Sequence, residues 1–252
     1  MKRSFVIALT MVFALSAACA AFASVDKTYE AAVIDFSGDV KVDTVGDGTW
    51  FEPWVGLKLK QGSLIKTGPG AKAQIVFDAE GLNVLSIDEN TSLTVEKDMV
   101  DMPDGVVLAD FANLAAGSTF TVKTPNAACG IRGSKMAIVF RNNGLVAVAY
   151  EDNIYVWKLD ASGNPVGQPA IIPQGQKSQV GGDGTLGGLT ELTEADYEMA
   201  LAMQGTGGQQ SLDQKIGQAQ QNADNPALDP KNITELLNEQ KEEDHKEISP
   251  CS

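Results

Sequence analysis

Hydrophobic and polar residues alternate with a period of two along most of the chain between residues 31 and 180. Successive side chains of a β-strand point to opposite faces, so this spacing predicts strands with one buried face. Turn signals rich in glycine, asparagine and aspartate separate the apolar runs. The predicted strands cover residues 31–36, 40–45, 73–77, 82–87, 93–96, 106–108, 119–122, 136–140, 145–150 and 154–159. Short strands with frequent turns indicate a mainly β fold of the sandwich, barrel or solenoid type.

The pattern changes after residue 180. Residues 181–190 include five glycines and predict a flexible linker. Thr193 then predicts the start of a helix that reaches about Met203, and further helix signals follow. These helices carry little apolar surface, so they are marginal alone and either dock on the β domain, bind another molecule or stay loosely ordered. Residues 191–252 are therefore expected to form a polar helical, partly disordered tail.

Residues 1–23 have the features of a secretory signal peptide. A basic start precedes an apolar run over residues 5–18, which is shorter than the roughly 20 residues that span a bilayer. The small residues Ala21 and Ala23 have the spacing that signal peptidase recognises. The mature chain is expected to begin at Ser24, to be periplasmic or secreted, and to lack a transmembrane anchor.

The three cysteines have different contexts. Residues 16–19 partly resemble a bacterial lipobox that ends at Cys19, but Leu15 lies four residues before the cysteine instead of the usual three. A lipoprotein is therefore the less favoured alternative. Cys129 and Cys251 remain after cleavage, and an exported protein could join them. The sequence leaves open whether they pair or whether Cys129 is a buried thiol and Cys251 an exposed one.

Acidic residues dominate the charge. The chain has 19 Lys and Arg against 33 Asp and Glu, a net charge of −14. Signal cleavage removes Lys2 and Arg3, leaving 17 basic residues and a net charge of −16. Such a surface repels phosphate backbones, so nucleic acid is not an expected partner.

Enzyme and metal signatures are weak. The single histidine, His245, lies in a solvated charge run over residues 241–246, which disfavours Ser–His–Asp and Cys–His catalysis. One histidine and scattered cysteines show no zinc-ligand spacing. We therefore predict no catalytic residue, metal site or cofactor, and an enzyme that uses acidic residues alone is the least favoured alternative.

Two ordered motifs run through the β region. From Leu59 to Phe77 the sequence fits L-x-x-G-x-x-I-x-T-G-x-G-A-x-A-x-I-x-F, and from Thr124 to Ser134 it fits T-P-x-A-x-x-G-x-R-G-S. In these motifs the chain resembles the FecR domain family, exported β-rich domains named after a regulator that relays iron-citrate status across the inner membrane. The resemblance covers roughly residues 35–180 and implies short strands stacked in a solenoid-like or rolled β domain, here residues 31–180.

The resemblance also implies structural roles for a set of signature residues. These are Gly130, Arg132, Gly133, Ser134, Thr67 and Gly68. Gly130 and Gly133 are expected to bend the chain, and Arg132 to fold inward and donate to backbone carbonyls or to a carboxylate such as Asp78 or Asp88. On that basis Arg132→Ala should cost about 3–5 kcal/mol, because a buried clamp would be lost. Ligand contact is the alternative role of Arg132.

The chain departs from the family's signalling regulators in its flanking segments. Those regulators carry a sigma-factor-binding segment and a transmembrane helix before the β domain, and a receptor-binding module after it. A signal peptide and polar helices stand in those places here. Sigma regulation is therefore not carried over. The expected function is a non-enzymatic binding or scaffolding module that recognises another cell-envelope component, foremost an envelope protein, with signalling as one setting.

An aromatic cluster supplies the alternative function. Trp50, Phe51 and Trp54 fall within five residues. Core packing is the favoured interpretation of this cluster. If a ring is exposed instead, it is a candidate contact for a sugar or a partner protein. The alternative function is thus a surface module that binds carbohydrate or matrix through Trp50, Phe51 and Trp54.

Overall fold

The computed structural model describes residues 30–112, 114–115 and 117–204. The predictions on the signal peptide, Cys19, Cys251, His245 and the tail beyond residue 204 lie outside these residues. The elements are β1 Ala31–Ser37, β2 Val40–Asp43, β3 Lys58–Leu59, β4 Leu64–Thr67, β5 Lys72–Val76, β6 Asn83–Ile87, β7 Ser92–Glu96, β8 Met99–Phe111, β9 Phe120–Lys123, β10 Ala127–Ile131, β11 Ser134–Arg141, β12 Gly144–Ala149, β13 Ile154–Leu159, β14 Pro165–Ile172, β15 Gln176–Val180, β16 Leu186–Glu191 and α1 Glu194–Met203.

The strands form one continuous sheet whose two halves share the long strand β8. Residues 105–111 of β8 pair with β6 and β11, whereas residues 99–104 pair with β7 and β9. Half A has the order β3-β1-β5-β6-β8-β11-β12-β15-β16. Half B has the order β2-β4-β7-β8-β9-β10-β13-β14. Pairing is antiparallel among the described strands except between β8 and β9.

One hydrophobic core lies between the two halves. Val33 and Ile75 of half A belong to the same buried cluster as Ile65 and Leu93 of half B. Buried and partly exposed residues alternate along strands such as β7 and β9, as the period of two predicts. The predicted mainly β fold is confirmed, and the sheet is rolled because β8 carries it from one side of the core to the other.

The bend in β8 depends on a glycine. Gly105 is buried and has φ +142°, a conformation that side chains with a Cβ rarely adopt. A Cβ at this position would lie 2.7 Å from Cβ of Thr91. The Thr91 hydroxyl accepts a hydrogen bond from the Val106 amide at 3.0 Å, which satisfies the backbone next to the bend.

Helix α1 lies across the outer face of half A. Thr193 precedes it as the N-cap residue, and the helix ends at Met203, as predicted. Ala200 and Met203 pack on an apolar surface formed by Leu108 and Val148 together with neighbouring strand residues. This burial supplies the stability that a ten-residue helix lacks on its own.

The prediction of a flexible linker over residues 181–190 is wrong. The Gly181 amide donates to the Thr185 carbonyl at 2.8 Å and closes a turn. Residues 186–191 then form β16, which pairs antiparallel with β15. The glycine-rich composition therefore belongs to a hairpin whose second strand, β16, lies at the exposed edge of the sheet. Hydrogen bonds between β15 and β16 order a segment that its composition alone predicts to be flexible.

Candidate functional site

The signature motif around Arg132 lies where the chain passes from one half of the sheet to the other. β10 ends at Ile131 in half B, and β11 begins at Ser134 in half A. Gly133, in the connection, has φ +94°. Gly130 lies inside β10 and pairs with Tyr155, so the prediction that it bends the chain is wrong. Its lack of a side chain makes room, since a Cβ there would lie 2.9 Å from Cζ3 of Trp157.

Arg132 points outward, so the prediction of an inward clamp is wrong. Its side chain is exposed, and Cζ lies 4.7 Å from the centroid of the Tyr155 ring. Ile131 takes the inward position at this corner and is fully buried, and alternation then places Arg132 on the outside. The two proposed acceptors have other partners: Asp78 accepts from the Leu82 amide at 2.9 Å, and Asp88 lies 3.9 Å from Lys72.

A different arginine makes the clamp. Arg141, at the end of β11, donates through Nη1 to Asp104 at 2.9 Å and through Nη2 to the Glu89 carbonyl at 2.7 Å. It also donates to the Asn90 carbonyl. These contacts tie β11 to the turn between β6 and β7. Arg141 directly precedes the Asn142-Asn143-Gly144 turn, so the sequence could have placed it at the end of a strand, although not its hydrogen-bond partners.

The remaining signature residues make hydrogen bonds that hold the fold. The Thr67 hydroxyl donates to the Asp88 carbonyl at 2.6 Å and accepts from the Thr91 amide at 2.9 Å. The Gly68 amide donates to the Asp39 carbonyl at 2.8 Å. The Ser134 hydroxyl donates to the Glu151 carbonyl. Thr67 and Ser134 are also buried, so their polar groups are used within the fold.

The aromatic cluster of residues 50–54 is half-buried. Phe51 and Trp54 pack against the core and stack on each other, with ring centroids 5.8 Å apart. Trp50 lies beneath Nζ of Lys66, which is 4.1 Å from its ring centroid. Core packing therefore describes Phe51 and Trp54, and none of the three rings is exposed.

A second aromatic surface lies on the outer side of half B. Ile154 and Val156 of β13 point into the core, so Tyr155 and Trp157 point outward and are half-buried. Their ring centroids are 6.1 Å apart. Ile171 of β14 pairs with Tyr155 and is 48% exposed. We call Arg132, Tyr155, Trp157 and Ile171 the β13 patch.

Cys129 is a buried thiol on β10. It is a free cysteine with no exposed surface, and burial raises the pKa of its thiol to about 12. The neutral thiol is a poor nucleophile, because the thiolate is the reactive form. Among the described residues, no three His, Cys, Asp or Glu side chains converge as metal ligands. The described part of the chain contains no helix that is both long and apolar enough to span a membrane.

Comparison with known proteins gives structural similarity at low identity. No family model matches the sequence, and no curated protein matches it. Two crystal structures of a "putative anti-sigma factor" from Parabacteroides distasonis are similar. The 1.65 Å structure is 15% identical, with a TM-score of 0.40, and the match covers 56% of this chain and 65% of that one. The 2.50 Å structure is 16% identical, with a TM-score of 0.41, and the corresponding shares are 56% and 64%. The match thus spans less than two thirds of either structure's own length.

Proposed function

We propose that this protein is a non-enzymatic, exported binding module of the FecR-like type that recognises another protein of the bacterial cell envelope. The ordered motifs support the FecR-like assignment. Several of their residues help to hold this fold: Leu59, Ile65 and Ile75 belong to the core, and the Thr67 hydroxyl bonds to the backbone of the β6–β7 turn. Relay of an envelope signal is the setting that the resemblance suggests.

One observation carries the proposal of a binding role. Thr67 and Ser134 of the signature are used inside the fold, whereas Arg132 lies on the surface next to Tyr155. An exposed arginine beside aromatic rings is typical of the residues that contribute most to protein–protein binding. The carbohydrate alternative through Trp50, Phe51 and Trp54 is less favoured, because Phe51 and Trp54 pack against the core and Lys66 covers one face of the Trp50 ring.

The proposal is tested by retention of envelope components on the immobilised mature chain, residues 24–252. We expect one envelope protein to be retained in a fixed ratio to the bait and to be released at high salt. Both protein and polysaccharide in the eluate should be measured. Retention of polysaccharide alone, or of no component above an acidic control protein, contradicts the proposal.

A further inference from the structure

The β13 patch contains a cation, Arg132, that has no acidic partner in the described part of the chain. Arg141 lies 2.9 Å from Asp104, Lys135 lies 2.9 Å from Asp110, and Lys177 lies 2.7 Å from Asp196. Arg132, by contrast, makes neither a hydrogen bond nor an ion pair with any residue that the structure describes, and its one charged contact is with the Tyr155 ring. Although the chain has a net charge of −14, the five donors of this guanidinium are thus left without a protein acceptor among the described residues.

The apolar part of the patch is continuous with the guanidinium. Tyr155 and Ile171 are register partners, so their side chains are neighbours on one face of the sheet. Trp157 lies two residues further along β13 and covers Gly130. Because Gly130 has no side chain, the Trp157 ring can lie directly against its backbone. A surface that combines Trp, Tyr and Arg has the composition of a binding hot spot.

The contacts within the patch favour a protein over a sugar. The guanidinium already occupies one face of the Tyr155 ring, and Trp157 lies against the backbone of Gly130. The neighbouring exposed residue, Ile171, is aliphatic. The patch therefore offers guanidinium donors, ring edges and an aliphatic side chain. Apolar side chains and a carboxylate complement these groups better than a pyranose ring, which needs an open aromatic face.

We propose that the β13 patch is the docking surface for the partner protein and that the docking segment of the partner carries a carboxylate flanked by apolar side chains. The carboxylate accepts two parallel hydrogen bonds from Arg132, and the apolar side chains cover Tyr155, Trp157 and Ile171. The Tyr155 ring holds the guanidinium in place before binding, which reduces the entropy lost on association. This inference rests on the proposed function, because it assigns a surface and a chemistry to the same recognition event.

The test compares matched variants of the mature chain. Arg132→Gln removes the charge of the patch, and Arg132→Lys keeps the charge but not the paired donors. Lys97→Gln is the control, because it removes an exposed positive charge from the turn between β7 and β8. We expect Arg132→Gln to weaken retention of the envelope protein roughly tenfold or more, Arg132→Lys to weaken it less, and Lys97→Gln to leave it within about twofold.

Photocrosslinking identifies the chemistry of the docking segment. p-Benzoylphenylalanine in place of Ile171 should crosslink to the retained protein, and the same group in place of Val45, which is 77% exposed, should not. Mass spectrometry of the crosslinked peptide should find Asp or Glu next to apolar residues. A crosslinked peptide without an acidic residue, or a crosslink to polysaccharide, overturns the inference.

The outcomes separate this inference from the proposed function. If wild type retains an envelope protein and Arg132→Gln retains it equally well, the assignment of the surface is wrong and the proposed function stands. If wild type retains no protein, both fail. Thermal unfolding of each variant accompanies the binding measurement, and an unchanged midpoint for Arg132→Gln shows that a loss of retention reflects the surface and not the fold.

Discussion

Nζ of Lys177 on β15 lies 2.7 Å from both carboxylate oxygens of Asp196 on helix α1. Asp196 also accepts hydrogen bonds from the amide and the hydroxyl of Thr193, each at 2.7 Å. The carbonyl of Asp196 in turn accepts from the Tyr150 hydroxyl at 2.6 Å. The first turn of the helix is therefore joined to half A by one residue that uses both its side chain and its backbone.

This network predicts that acid weakens the attachment of α1. Burial raises the pKa of Asp196, but the hydrogen bonds from Lys177 and Thr193 outweigh burial, so the pKa lies below the usual value. A carboxyl with a lowered folded-state pKa stabilises the protein fully above its unfolded-state pKa, near 4, and that contribution is lost as the pH falls through the folded-state value. Hydrogen exchange of the α1 amides from pH 6 to pH 3 should show decreasing protection.

Asp196→Asn isolates the contribution of this carboxylate. We expect a loss of about 1.5–3 kcal/mol in the free energy of unfolding at pH 7, because hydrogen bonds to a charged group are removed. The loss should shrink as the pH approaches 3. Glu198→Gln, an exposed acid on the same helix, is the control and should be close to neutral. Equal effects of the two substitutions in urea unfolding would contradict the role of Asp196.

Arg132 and Arg141 should differ in their effect on stability. Arg132→Ala removes only an exposed contact with Tyr155, so we expect a loss of about 0.5–1 kcal/mol. Arg141→Ala removes an ion pair and hydrogen bonds to two carbonyls, so we expect a larger loss of about 2–3 kcal/mol. Urea unfolding at pH 7 measures both. A loss of about 3–5 kcal/mol for Arg132→Ala would instead support the inward, buried position of Arg132 that the structure contradicts.

Gly105→Ala should destabilise the protein by about 2–4 kcal/mol. The added Cβ meets Thr91, and the positive φ is strained for alanine. Gly188→Ala is the matched control, since a Cβ there meets no atom within 4 Å and its φ is not positive. Thermal unfolding of both variants decides the point, and a Gly105→Ala protein as stable as wild type would show that β8 bends without this glycine.

Cys129 should resist alkylation in the native protein. Its thiol is buried and has a raised pKa of about 12, so the thiolate is scarce at pH 8 and the reagent has no access. Peptide mapping after treatment with iodoacetamide should find Cys129 unmodified in buffer and modified in 6 M guanidinium chloride. Rapid native modification would show that β10 opens.

The strands were predictable because the alternation of apolar and polar residues that marks a half-buried strand is visible within a few neighbouring positions. Each of the ten predicted segments overlaps a strand of the structure, and Thr193, the predicted N-cap, directly precedes α1. Strands β14 and β16 were missed since they are edge strands with mostly exposed residues and therefore show no alternation. β10 was missed because Gly130 within it has the composition of a turn.

The site was harder to predict because it depends on which face of a strand is inside. Along residues 154–157 of β13 every side chain is apolar or aromatic, so the sequence does not tell which pair is buried. The direction of Arg132 depends on the corner between β10 and β11, where Ile131 occupies the core. Both facts follow from pairing across the sheet and not from neighbours in sequence.

The sharing of β8 by both halves has a mechanical consequence. Loss of this strand would strip backbone partners from β6 and β11 on one side of the core and from β7 and β9 on the other. Both sides therefore depend on the same strand, and a force applied to one side is carried into the other through β8 as well as through connections such as residues 131–134. A force on β13 should thus reach β8 through β10 and β9, so that strands on both sides of the core share the load.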